Sequence, residues 1–269
     1  MKDIWMAVIL ALLVWWLFTG VMLLTSRIAD RFGGKAHGLV VLGSMPLSMI
    51  GLVCVWKSAE STTILASYGG FLSALAVWSW AEMAFLTGIV TGPNPRPCPP
   101  RLSRTDRFRA AWLALAYHEL LLLAGLLAMF LLVMGQPNTF ALWTYLILFC
   151  ARILAKLNLF FGVPSINYEF IPSPLAYLKS HLKQGPITLA FPLAIFLLGG
   201  AAVYLGQAAA GADTAAGAVG FTLLAVLACL AVLEHLLMLI PIPDALLWRW
   251  MLPDTAPCNN TNTGQHNGH

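Results

Sequence analysis

The sequence predicts an all-α fold: a polytopic membrane bundle of about seven transmembrane helices. Three observations predict it. Of 269 residues, 59% are hydrophobic and only 10% are charged, where an ordinary soluble domain is about 25% charged. Seven stretches hold the roughly 20 mostly apolar residues that a bilayer crossing needs. The basic residues gather in alternate connections between those stretches, the asymmetry that orients membrane helices.

The spans fall at roughly 4–25, 38–56, 64–90, 109–134, 139–161, 186–208 and 217–240. The first, within "MKDIWMAVILALLVWWLFTGVMLLT", could pass for a signal peptide. Its apolar run is too long for one, and no small-x-small cleavage site follows it, so it reads as a retained helix. The second and sixth spans carry almost nothing ionisable and more Gly, Ala and Leu, as packing helices do. Arg27, Arg31 and Lys35 follow the first span; Arg96, Arg101, Arg104 and Arg107 follow the third; Lys179 and Lys183 follow the fifth. The other side has Lys2 and Lys57, so the positive-inside rule puts the N-terminus outside and the C-terminus in the cytoplasm. Residues 1–253 form a single bundle domain on this reading, and 254–269, ending in "NNTNTGQHNGH", form a disordered polar tail.

The net charge of +4 is spread over these connections, so it speaks for topology and against nucleic acid as a partner. The five cysteines, Cys54, Cys98, Cys150, Cys229 and Cys258, form no C-x-x-C pair, which predicts neither a disulfide framework nor a cysteine metal site. Among the connections, "TGPNPRPCPPRLSRTDR" (91–107) reads as an extended, helix-free cytoplasmic loop because of its five prolines. In 162–186, Tyr168, Phe170, Leu175, Tyr177, Leu178 and Leu182 could lay an apolar face on the membrane surface or dock a partner. Trp248 and Trp250 around Arg249 have the composition of an interfacial anchor. His37 and His181 read as solvated loop histidines.

The informative residues are the polar ones inside the spans. Glu82 lies in the third; His118 and Glu119 interrupt "LAYHELLLLAGLLAMFL" in the fourth; Arg152 and Lys156, four apart on one face, lie in the fifth; Glu234 and His235 lie in the seventh. At 1.5 Å rise per residue, all seven fall in a layer roughly 8–15 Å beneath the cytoplasmic surface. A charge at such depth costs about 2.5–3.5 kcal/mol on insertion scales, so these side chains are expected to face one another.

Three uses of the layer stand open. Arg152 and Lys156 can neutralise Glu82, Glu119 and Glu234 in a network that fixes helix register. Carboxylates and imidazoles from several helices can bind a metal ion through Glu82, Glu119, His118, Glu234 and His235, or His118 and His235 can ligate a tetrapyrrole metal such as that of bacteriochlorophyll. Against a shared ion, bundle metal sites use Glu-x-x-His, whereas the two Glu/His pairs here are adjacent and diverge by about 100°. The third use is a proton or anion pathway, although no pair of broken helices supports a transporter. No H-E-x-x-H, P-loop, G-x-G-x-x-G or serine elbow is present.

The blocks "FLTGIVTGPNPRPCPP", "AYHELLLLA", "ARILAKLNLFFGVPSINYEFIP" and "LEHLLMLIPIPDALLWRWMLP" resemble the PuhE family, photosynthetic complex assembly proteins of purple bacteria, from the first span to about residue 253. The resemblance implies a multi-pass protein of the bacterial inner membrane that assists biogenesis of the reaction centre and light-harvesting complexes through bacteriochlorophyll supply or delivery. Implied partners are membrane lipid, subunits of those complexes and other assembly factors. It transfers no catalytic residue, and catalysis is not expected. The competing expectation is a membrane metalloenzyme acting on a pigment, lipid or quinone precursor through the buried Glu/His layer.

Overall fold

The computed structural model describes residues 2–168 and 171–240. Phe170, the Trp248–Arg249–Trp250 stretch and the polar tail lie outside the described residues. Among the described residues there is no strand, and seven helices are long and apolar enough to cross a membrane. They are α1 (Lys2–Phe32), α2 (Gly34–Ala59), α3 (Ile64–Leu86), α4 (Arg104–Val133), α5 (Phe140–Phe161), α6 (Ala190–Ala210) and α7 (Ala215–Leu237), with a short 3-10 helix, Ser173–Ser180, between α5 and α6. The protein is a multi-pass membrane protein of the predicted all-α class. Large apolar side chains cover its flanks, among them Leu13 and Leu17 on α1 and Phe196 on α6, as lipid-facing surfaces require.

Local chemistry sets several boundaries. Thr63 caps α3 by accepting from Ala66 N at 3.2 Å, and Thr214 caps α7 by accepting from Gly217 N at 3.0 Å. Ser103 starts α4 by accepting from Asp106 N, while its hydroxyl donates to the Asp106 carboxylate at 2.6 Å, a variant of the capping box. Helix α4 therefore begins at Arg104, and the helix-free stretch expected to reach 107 ends at Ser103. The loop expected after the first span is also mostly helical, for α1 and α2 are broken only at Gly33, whose φ of 85° suits glycine.

The centre of the bundle is α3 with α7, whose most apolar windows are 61% and 56% buried, against 17–28% for the other five helices. Helices α2 and α6, expected to do the packing, stand at the periphery: α2 lies on α3, and α6 on α7. Small residues let the central backbones approach, and Ser67 Oγ on α3 donates to Ala216 O on α7 at 2.9 Å. A second core joins α2, α3, α4 and α5 through Val55, Trp78, Leu122 and Tyr145, with the Trp78 and Tyr145 rings edge to face at 5.1 Å.

The connections 87–103 and 162–189 meet at one end. His181 and His37, expected to be solvated, are 4% and 9% exposed. The His181 ring Nε2 lies 3.0 Å from Arg96 O, and His37 Nε2 lies 2.8 Å from Asp30 Oδ1. Arg107 donates to Phe160 O and His181 O, with its guanidinium over the Phe160 ring. The apolar face of 162–186 turns inward: Leu175 is 2% exposed, and Tyr177 OH donates to Ala114 O of α4 at 3.2 Å. Leu175, Tyr177, Leu178 and Leu182, expected on the membrane surface or against a partner, are spent on the bundle itself.

Candidate functional site

Helix phase brings most of the polar layer together. Arg152 and Lys156 lie one turn apart on α5. Arg152 Nη2 donates to Glu82 Oε2 on α3 at 2.6 Å, and Lys156 Nζ donates to Glu119 Oε1 on α4. The two carboxylates are 5% and 6% exposed. Each acid therefore has a cation from the same helix, the arrangement that makes buried charge tolerable.

Phe85, one turn after Glu82, is the platform for this cluster. The His118 ring stacks on it with centroids 4.3 Å apart and planes 22° apart, while Arg152 and Lys156 sit 5.9 and 5.6 Å from its centroid, within cation–π range. His118 Nε2 is 3.7 Å from Glu82 Oε1, beyond hydrogen-bond length. Phe85 went unnoticed in the sequence because its chemistry is that of any apolar residue; its i+3 spacing from Glu82 was the available signal.

The turn of α4 that carries His118 is tapped from outside. His118 N donates to Thr91 O at 2.9 Å, Asn94 N donates to Leu113 O at 3.1 Å, and the Tyr177 hydroxyl takes Ala114 O. Gly92 makes this possible, since a Cβ there would lie 2.2 Å from Leu113 O and 2.5 Å from Ala114 C. Irregular backbone is tolerated inside a membrane bundle only where protein encloses it, and Thr91 is 8% exposed. Burial pushes the Tyr177 phenol above its ordinary value, with a hydrogen bond to Thr91 pulling the other way.

Beside the cluster lies a cavity of about 580 Å³, within the roughly 300–1,000 Å³ of small-molecule sites. One wall is α1, with Trp15, Phe18 and Met22; facing it are Glu82 and Phe85 of α3 and Arg152 and Lys156 of α5. Helix α7 contributes Ala231 and Glu234, and Leu175, Leu178 and Leu182 of the 162–189 connection close the floor. Apolar groups predominate, with a few polar ones converging, the usual composition of a ligand site.

Glu234 stands apart from the other acids. Its Oε1 accepts from Trp15 Nε1 at 2.8 Å, and it has no cation partner among the described residues. His235 turns away from the cavity, 1% exposed, with Nδ1 donating to Ala231 O at 2.8 Å. Thus Glu82, His118, Glu119, Arg152 and Lys156 form one cluster, Glu234 shares the cavity with part of it, and His235 does neither. Among the described residues, no three His, Cys, Asp or Glu side chains are grouped as metal ligands. Neither His118 nor His235 lines the cavity, so the cavity offers a tetrapyrrole no axial nitrogen from them.

The sequence matches the family model "Protein of unknown function (DUF3623)" over residues 1–259. It is 43% identical over 253 residues, 94% of this chain and 92% of the relative, to "Uncharacterized 30.4 kDa protein in puhA 5'region" of Rhodobacter capsulatus. No solved structure matches.

Proposed function

The chain belongs to the DUF3623 family, and from that premise we propose that it is an assembly factor for photosynthetic complexes in the bacterial inner membrane. It would serve reaction-centre and light-harvesting subunits or other assembly factors through bacteriochlorophyll supply or delivery. One observation carries the reading: 43% identity, over nearly the whole length of both chains, to a protein encoded beside puhA, in a photosynthesis-related gene region. The site's chemistry supports it, because Glu82 and Glu119 are committed to Arg152 and Lys156; such a layer is suited to holding helices and lining a cavity. With the basic connections facing the cytoplasm, the cavity would lie in the inner leaflet.

The test is deletion in a phototrophic host. Assembled complexes, counted from near-infrared absorbance of membranes and from native gels, should fall while extractable pigment is still made; re-expression of the wild-type chain should restore them. A normal complement of complexes in the deletion strain defeats the proposal.

A further inference from the structure

The three acids of the layer are not equivalent. Glu82 and Glu119 have ammonium or guanidinium partners. Glu234 has one indole N–H on Oε1 and, among the described residues, nothing on Oε2. Across the cavity, Arg152 is paired with Glu82 through Nη2, but its buried Nε has no hydrogen-bond partner among the described residues. A carboxyl at membrane depth is costly without a partner, and Glu234 is open to the cavity whereas Glu82 and Glu119 are buried. Something entering the cavity is positioned to complete it.

The walls narrow what that can be. Arg152 and Lys156 are already paired with Glu82 and Glu119, so no cation is left over for an anionic head, and an ammonium head has no acceptor to offer Arg152 Nε. A neutral group that both donates and accepts, such as a hydroxyl, satisfies both walls. Below and around the polar groups the lining is apolar, from Phe18 and Met22 on α1 to Leu227 and Leu230 on α7. Helices α1 and α5 stand on opposite sides with scarcely any direct packing between them, which leaves a long chain room to lie between them.

We propose that this cavity binds a neutral long-chain amphiphile, its hydroxyl-type head between Glu234 and Arg152 and its tail between α1, α3 and α7. The site is independent of the assembly role, because its occupancy is read on purified protein in detergent and reports nothing about photosynthetic complexes.

The probes are a long-chain alcohol carrying a diazirine in its chain and the carboxylate of the same chain, each photolysed with the purified protein and mapped by peptide mass spectrometry. Labelling by the alcohol should fall on α1 and α7 at Met22 and Leu230, should be competed away by unlabelled alcohol, and should be suppressed by Ala231→Trp. The carboxylate should label these positions about tenfold less, since it has no hydrogen to donate to Glu234 Oε2 and meets no unpaired cation. In Glu234→Gln that discrimination should vanish while the alcohol still binds. Label confined to the lipid-facing Phe196 and Leu197 of α6, or cavity label that unlabelled alcohol does not displace, overturns the site. Preference for the carboxylate overturns the head-group assignment. Competition in the wild-type protein keeps the test decisive if Ala231→Trp aggregates.

Discussion

Where α3 and α7 begin, they touch; where they end, a cavity separates them. At the first end Ala7 and Ala11 of α1 pack with Phe71 and Leu75 of α3 and with Val219 and Leu223 of α7, and Ser67 reaches the α7 backbone directly. At the other end the same helices line the cavity with Glu82 and Glu234, with the 162–189 connection folded beneath. Small residues draw backbones together in a membrane, because packing rather than water drives the association. The paired charges join α5 to α3 and to α4 instead, and Glu234 of α7 reaches Trp15 of α1. Close backbone packing and the open cavity are thereby divided between the two ends.

Substitutions can break that contrast. The largest effect belongs to Gly92→Leu at the open end, where the new side chain meets the α4 backbone at 2.2 Å, which cannot retreat as a side chain would. The expected outcome is loss of monodisperse protein on size-exclusion chromatography. Next is Arg152→Ala, which strands the buried Glu82 carboxylate. Breaking such a pair costs about 3–5 kcal/mol when both partners are buried; with Arg152 34% exposed, about 3 kcal/mol is expected. Thermal unfolding in detergent measures it, and Glu82→Leu with Arg152→Met should recover most of the loss.

A third substitution probes the tight end. In Gly220→Ala the new Cβ would fall 2.1 Å from the Phe140 ring, an overpacking cost of about 1–3 kcal/mol that Phe140→Leu should relieve. Gly199→Ala on peripheral α6 meets nothing within 4 Å and should cost nothing, with a gain of up to about 1 kcal/mol from the lost backbone freedom of glycine. The smallest effect sharpens the comparison through pH. Because burial raises the folded-state pKa of Tyr177, the folded protein holds that proton where the unfolded chain has lost it. The contribution is complete below the unfolded value of about 10 and declines as pH rises above it. Tyr177→Phe should flatten the alkaline fall in stability, at a cost of about 1 kcal/mol for the lost hydrogen bond to Ala114 O.

The helices were legible because membrane spans announce themselves by length and apolarity, and the clustered Glu82, His118, Glu119, Arg152 and Lys156 because charge at depth must find charge. What stayed hidden depended on tertiary contact. A loop rich in proline gives no sign that its Gly92 lies against another helix. The burial of His181 follows from a partner distant in sequence, Arg96 O, and His37 is buried beside Asp30 because the expected loop there is helix. Leu175, Leu178 and Leu182 read as a membrane-surface face because an amphipathic pattern does not say which apolar phase receives it. That adjacent Glu234 and His235 diverge was legible from helix geometry; which neighbours each would meet, Trp15 for one and Ala231 O for the other, was not.

One turn of α4 holds on to two segments that the ribosome makes at different times: Thr91, before the helix exists, and Tyr177, after α5 is complete. A nascent chain that has finished four spans therefore has the charges of the layer only in part and no floor beneath them. The pocket has all its walls only once translation has passed Met238, so its appearance is a late event in the life of the chain, set by the order of synthesis as much as by the forces within the finished bundle.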